Sequence, residues 1–272
     1  MQLGKLSSED IRLLLTLLPV LERERDEALT LVREKQTKIF HKDHQKTYWS
    51  DSYEMPFTQH LAQLAVALGI EDSVRAVGTA ARPIQVAVES LHEFEKELEA
   101  TEFTQEDDAQ ILQSMPVLLS WLNSISNSFR CLLVFGCYLN ELIARVREGD
   151  DQALLDAVRI DQTVLGCPSV MSRMSRAIIL DEQKFLEKVR KAMLGKFTIR
   201  EQKNYQQMRL VLQVLLEAGA PKLTPEDLHE LFVGELNLVR GDGSSKSDKG
   251  NVANALRQFA YQFIKQKAVS QN

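Results

Sequence analysis

LLSWLNSISNSFRCLLVFGCYLNELIARV, residues 118 to 146, indicates the fold class most clearly. Its large apolar side chains recur at alternating intervals of four and three residues, which keeps them on one face of an α-helix. The spacing predicts one long central helix over about 116–147, in which Gly136 allows close approach of a partner helix. The partner helix belongs either to the same chain or to a second copy. We expect the seam to contain Leu118, Leu122, Ile125, Phe129, Leu132, Gly136, Leu139 and Ile143.

The remaining apolar residues also follow helical periodicity. Runs of alternating β-branched residues, with hairpin turns between them, are absent from the sequence. Hydroxyl residues followed by an acid three positions later predict helix starts at Ser7, Thr104, Thr198 and Thr224. We therefore predict an all-α, multi-helix bundle with the central helix and a C-terminal group of shorter helices. Shorter helices are also expected around 151–161, 169–180 and 182–194.

Composition along the 272 residues suggests three regions. Residues 1–50 form a charged helical arm with a thin apolar stripe, which is typical of an exposed helix or coiled coil. Residues 51–165 form the bundle core with the central helix, and residues 166–272 form a basic and then amphipathic helical region.

Charge and cysteine content limit the class of protein. The formal net charge is −5, so the chain as a whole has no general attraction for nucleic acid or anionic lipid. Three cysteines without a Cys-x-x-Cys pair indicate neither a disulfide framework nor a zinc site. The N-terminus lacks the pattern of a signal peptide, and CLLVFGCYL is too short to span a membrane. We expect a cytoplasmic protein with no membrane partner.

The glycine- and serine-rich stretch GDGSSKSDKG, residues 241–250, resembles a phosphate-binding loop only in composition. A P-loop requires the spacing GxxxxGK[ST] between a strand and a helix, and this stretch has neither the spacing nor the strand. Asp242 and Asp248 would also repel phosphate. The composition predicts a connector between two helices.

Histidines with acidic neighbours are candidate metal ligands. Glu89 with His92, and Glu226 with His229, repeat the Glu-x-x-His motif of di-iron bundles. The apolar residues around both motifs place these side chains on the flank of their helices or opposite the core face, which argues against a buried metal. The HKDH stretch, residues 41–44, is more typical of a solvated helix face. We expect no metal, no cofactor and no catalytic residue.

A contrast in charge is the strongest functional signal. Residues 89–108 are strongly acidic, whereas residues 173–209 are rich in lysine and arginine, with Phe185, Phe197 and Tyr205 between them. Basic helices with interspersed aromatic residues are typical of surfaces that contact nucleic acid. The candidate residues are Lys184, Lys188, Arg190, Lys191, Lys196, Arg200 and Lys203.

These patterns support one main hypothesis and two alternatives. The main hypothesis is a non-catalytic helical protein that acts through protein association, with another protein or with itself as a homodimer. The first alternative is a nucleic-acid-binding protein that uses the basic segment 184–209. The second alternative is a metal-dependent helical-bundle enzyme. Nothing in the sequence names the partner.

Overall fold

Helices form nearly all of the chain that the computed structural model describes, namely residues 2–3, 6–15, 53–68, 70–100, 123–194, 203–239 and 246–270. The predicted all-α, multi-helix class is confirmed. Strand pairing within this part is limited to β1 (Gln2–Leu3) and β2 (Leu6–Ser7), which run antiparallel. No helix in the described ranges is long and apolar enough to cross a membrane.

The contacts divide the chain into two units. Described residues of unit one lie within 2–15, 73–92 and 203–270, and those of unit two lie within 53–72 and 93–194. The three regions expected from composition stay a prediction. The N-terminal arm beyond residue 15 and the helix starts at Thr104 and Thr198 lie outside the described residues.

The first described helix of unit two is α2 (Phe57–Leu68), and the next helices, α3 (Glu71–Thr79) and α4 (Pro83–Ala100), are divided between the two units. Its core lies among α5 (123–135), α6 (Leu139–Arg147), α7 (Asp151–Ile160), α8 (Pro168–Ile179) and α9 (Gln183–Leu194). A 3₁₀ turn, Gln162–Gly166, connects α7 to α8. The helices α7, α8 and α9 match the shorter helices that the sequence predicts around 151–161, 169–180 and 182–194.

The structure differs from the predicted single helix over 116–147. Gly136 has φ 77° and ends α5, and α6 starts after Tyr138. Only glycine adopts such a backbone angle without strain, so this residue terminates a helix here. The apolar face nevertheless continues across the break, because Leu139, Leu142, Ile143 and Val146 are buried at helical spacing in the core.

Unit one contains the strand pair, α1 (8–15), α10 (Lys203–Glu217), α11 (Pro225–His229) and α12 (Lys246–Ser270). The helix α11 continues as a π-helical turn, Glu230–Glu235, and packs against α12. The core of unit one is apolar, and its most buried members include Leu3, Leu6, Ile11, Met208, Val211, Leu231 and Phe232.

Capping bonds confirm two of the predicted helix starts. Asp10 accepts hydrogen bonds from the Ser7 N–H at 2.9 Å and from its hydroxyl at 2.6 Å, and Ser7 caps the Asp10 N–H. Thr224 and Asp227 form the same reciprocal pair ahead of α11, with Pro225 in its first turn. These bonds satisfy backbone donors that the first turn of a helix leaves free.

The connector predicted at 241–250 is helical in its second half. Lys246–Gly250 form the first turns of α12, and residues 241–245 lie outside the described residues. The helix extends back from its packed face at Leu256 and Phe263, since adding a turn to an existing helix requires little free energy.

Candidate functional site

An open apolar groove of about 780 Å³ lies in unit one between α10 and α12. The helix α10 contributes Leu212, Leu215 and Leu216, which are spaced as one helix face. The helix α12 contributes Ala260, Tyr261 and Ile264 at the same kind of spacing. Apolar side chains from both helices therefore border the groove.

A tight turn closes one end of the groove. Gly219, with φ 65°, follows α10, and the Ala220 N–H donates to the Leu215 carbonyl at 2.9 Å while the Gly219 N–H donates to the Leu216 carbonyl at 3.1 Å. This pair of bonds is the Schellman arrangement that ends a helix. The chain then passes through Pro221, Lys222 and Leu223, which also line the groove.

The groove has a buried floor and exposed walls. Leu212, Leu215 and Ala260 are buried, whereas 43% of Leu216, 65% of Tyr261 and 44% of Ile264 are exposed. Large apolar side chains clustered at this exposure are uncommon on a protein surface that has no partner. The sequence analysis did not predict the groove. Helical periodicity assigns other residues to the core faces of these two helices, so the apolar residues Leu216, Tyr261 and Ile264 were the available signal of a second apolar surface.

The charged residues that line the groove are Lys222 and Arg257, and no aspartate or glutamate is among its described lining residues. No ion pair involving either cation is found within the described part of the chain. Both side chains are exposed. The groove therefore combines an apolar floor with positive charge.

The basic candidate residues that the structure describes lie on α9. Lys184, Lys188, Arg190 and Lys191 are all exposed. The three lysines are separated by four and three positions, which places them within about 60° on one side of the helix. Phe185, Val189 and Ala192 are buried on the other side. We call Lys184, Lys188 and Lys191 the lysine stripe.

The structure does not place the other predicted nucleic-acid contacts on α9. Lys196, Arg200 and Phe197 lie outside the described residues, and Lys203 begins α10. Phe185 is only 8% exposed and lies beneath Arg173, 4.0 Å from the guanidinium carbon to the ring centre. Phe185 is therefore not available to stack on a base.

Arg173 forms the densest ionic cluster in unit two. Its guanidinium donates to both carboxylate oxygens of Asp151, at 2.7 and 2.9 Å, and to Glu182 at 2.7 Å. The hydrogen bonds to Asp151, followed by those to Glu182, raise the pKa of Arg173 against the opposing effect of burial. The cluster ties helices together around one cation that two carboxylates share.

A second buried polar cluster joins Tyr53, Asn127 and Asp161. The Tyr53 hydroxyl donates to Asp161, and the Asn127 amide donates to the Tyr53 oxygen at 3.0 Å and to Asp161 at 2.8 Å. Asp161 also accepts from the Thr163 N–H at 2.9 Å, which caps the 3₁₀ turn. The bonds among Tyr53, Asn127 and Asp161 join three segments of unit two, and the bond from Thr163 is local.

The candidate metal ligands do not form a metal-binding group within the described ranges. Glu89, His92 and Glu226 are exposed, and the Glu89 carboxylate accepts from Gln85 at 2.9 Å. The described ranges contain no group of three or more histidine, cysteine, aspartate or glutamate residues suited to a metal ion. HKDH at 41–44 lies outside them. Cys131, Cys137 and Cys167 are free thiols buried in the unit-two core.

The predicted seam is divided by the break at Gly136. Leu118 and Leu122 lie outside the described residues, Ile125 and Phe129 are half-buried on α5, and Leu132 is buried. Leu139 and Ile143 lie inside the unit-two core. This last part of the seam packs within one chain.

Comparison with family models, with curated proteins and with solved structures finds no match for this chain.

Proposed function

We propose that this chain is a non-catalytic protein-association module and that the groove of unit one is its binding site. The observation that carries the proposal is the combination of Leu216, Tyr261 and Ile264, all partly exposed, above a buried leucine floor. Covering these side chains removes apolar surface from water, which is the main driving force of protein association.

The openness of the groove favours a protein partner over a small molecule. A small-molecule pocket encloses most of its ligand, whereas the walls of this groove remain about half exposed. A helix laid along the groove would contact both walls at once. Its apolar residues at i, i+3, i+4 and i+7 would alternate with the rows on α10 and α12, as in other helix-in-groove complexes.

A display library of amphipathic helical peptides, selected on the purified full-length chain, tests the proposal. We expect enriched peptides to share an apolar stripe at helical spacing. Their affinity, measured by fluorescence anisotropy, is expected to fall roughly tenfold or more in Leu216→Asp and in Ile264→Asp, because each change places a charge in the apolar contact.

Ile179→Asp is the matched control, since Ile179 is 81% exposed and lies in unit two. This variant is expected to bind the enriched peptides as the unmodified chain does. Circular dichroism checks that each variant stays helical. The proposal is wrong if no library peptide binds more tightly than about 100 µM, or if the groove variants bind as well as the control.

Nucleic-acid binding is the second candidate function, and the lysine stripe is the observation that favours it. Three lysines on one side of α9 are exposed to solvent. Glu187 is an exposed acid on the same helix. Phosphate contacts release counterions, so such binding weakens steeply as salt increases.

Fluorescence anisotropy with labelled duplex and single-stranded DNA and RNA tests this candidate. We would measure binding at low and near-physiological salt for the full chain and for the triple variant Lys188→Glu, Arg190→Glu, Lys191→Glu. Micromolar binding supports nucleic-acid binding as the function if raising the salt abolishes it and the triple variant abolishes it as well. Absence of binding at low salt contradicts it.

A further inference from the structure

We propose that the groove selects an amphipathic helix whose apolar stripe is flanked by aspartate or glutamate. This inference rests on the proposed function of the groove and adds the charge of the partner. It concerns a partner protein segment, not a second copy of this chain and not a fatty acid.

The position of the two cations supports an acidic partner. Lys222 lies in the connection that closes the groove, and Arg257 lies on α12 one turn before Tyr261. The two charges thus come from different elements that border the same apolar floor. A helix seated on that floor would bring its flanking residues alongside both.

The acids on the same elements are not among the residues that line the groove. Glu217 follows Leu216 but accepts a hydrogen bond from Gln213 at 2.7 Å. Asp227 is engaged with Thr224 in the cap of α11. Glu226 and Glu230 are exposed on α11 and its continuation and are not among the lining residues. The charged residues that line the groove are thus both cations, although the whole chain carries −5.

Charge at the edge of an apolar contact mainly determines which partner is accepted. Exposed ion pairs contribute modestly to affinity, but placing like charges together disfavours the wrong partner and makes association sensitive to salt. The apolar floor would supply most of the affinity, and Lys222 and Arg257 would supply the discrimination.

Three synthetic helical peptides test the inference directly. Each has about 18 residues, or about five turns, and the same leucine stripe, and the flanking positions are glutamate, glutamine or lysine. We expect the glutamate peptide to bind the full-length chain roughly threefold to tenfold more tightly than the glutamine peptide. The lysine peptide is expected to bind least well, and the differences should shrink as salt rises.

Charge reversal at the groove supplies the decisive comparison. The double variant Lys222→Glu, Arg257→Glu is expected to invert the order, so that the lysine peptide binds most tightly. The matched control Lys96→Glu, Arg176→Glu makes the same change in net charge at two exposed positions of unit two, and should keep the original order. Retained binding of the lysine peptide by the double variant also shows that this variant is folded.

The possible outcomes separate the inference from the proposed function. Equal binding of all three peptides, or an order that the double variant does not change, overturns the acidic partner and leaves the groove as a binding site. Failure of all three peptides overturns the inference, and failure of every library peptide as well overturns the proposed function. Laurate binding in place of the peptides, or self-association that Ile264→Asp abolishes in sedimentation, would assign the groove to another occupant and overturn the inference.

Discussion

Arg173 joins three helices of unit two through a single side chain. It lies on α8, binds Asp151 at the start of α7 and Glu182 ahead of α9, and stacks on Phe185 of α9. Its side chain is 15% exposed, so solvent screens these contacts less than those of a surface ion pair. The planar guanidinium makes contacts in this arrangement that a lysine cannot reproduce.

Arg173→Ala is expected to lower the free energy of unfolding by about 1–3 kcal/mol, because two carboxylates lose their shared cation and Phe185 loses its cover. Arg173→Lys should recover only part of this loss. Urea unfolding followed by circular dichroism measures both. Arg176→Ala, an exposed change on the same helix, is the control and should stay within about 0.5 kcal/mol; an equal effect of both alanine variants contradicts the prediction.

The lowered pKa of Asp10 predicts that the stability of the fold depends on pH. Burial acts to raise the pKa of Asp10, but the hydrogen bonds from Ser7 and the charge of Arg82 outweigh it and lower the pKa below 3.8. A carboxylate with a depressed folded-state pKa stabilises the fold above its unfolded value. This contribution is lost as the pH falls through the folded-state pKa.

Asp10→Asn is therefore expected to lower stability at neutral pH by about 1 kcal/mol, the usual effect of losing a helix cap. The difference from the unmodified chain should disappear as the pH falls through the folded-state pKa, which lies below 3.8. Urea unfolding at a series of pH values measures it. Glu9→Gln, at the exposed neighbouring position, serves as the control, and a difference that persists unchanged in acid would contradict the assignment.

At the scale of elements, the break between α5 and α6 redirects the chain within a continuous apolar pattern. The periodicity runs through Gly136 without a gap, but the backbone there has φ 77°. A side chain at this position would be strained, whereas glycine reaches the conformation freely. The break places Leu139 and Ile143 in the unit-two core.

Gly136→Ala is expected to cost about 1–2 kcal/mol of stability, because alanine is strained at this backbone angle. Gly78→Ala provides a control of opposite sign. Gly78 lies within α3, where an added methyl group meets nothing within 4 Å, and alanine should stabilise that helix by about 0.5 kcal/mol. Thermal unfolding distinguishes the two, and a neutral or stabilising Gly136→Ala would show that the break can be removed.

At the scale of the whole molecule, stability comes from the apolar cores described within the two units. The unit-two core includes Leu154, Val158 and Val164, each at most 1% exposed, and the buried amide of Asn127 is tied into hydrogen bonds with Tyr53 and Asp161. The same molecule leaves Ile178, Ile179 and Leu180 more than half exposed. Burial, not residue type, decides which apolar residue supports the fold.

Leu154→Ala is expected to destabilise the protein by about 2–5 kcal/mol, because it opens a cavity in a fully buried site. Ile179→Ala removes a comparable aliphatic side chain from a site that is 81% exposed, and should change stability by less than about 0.5 kcal/mol. Urea unfolding measures both variants. Similar losses for the two would show that Ile179 contributes to a packed surface.

Local signals in the sequence predicted the helices well. The caps at Ser7 and Thr224 and the bounds of α7, α8 and α9 follow from side-chain hydrogen bonding and periodicity within a few residues. The break at Gly136 was not predicted, because a glycine within an apolar repeat is compatible both with close helix approach and with a helix end. Tertiary packing selects between these two roles.

The sequence by itself determined the helical class, the starts of several helices and the basic character of α9, since these depend on neighbours within about one turn. Only the tertiary structure showed that Phe185 lies beneath Arg173, and that Leu216, Tyr261 and Ile264 border one groove with Lys222 and Arg257. These residues belong to segments far apart in the chain. Their proximity depends on how α8 packs on α9 and how α10 and α12 lie side by side, and periodicity within one segment carries no information about such pairings.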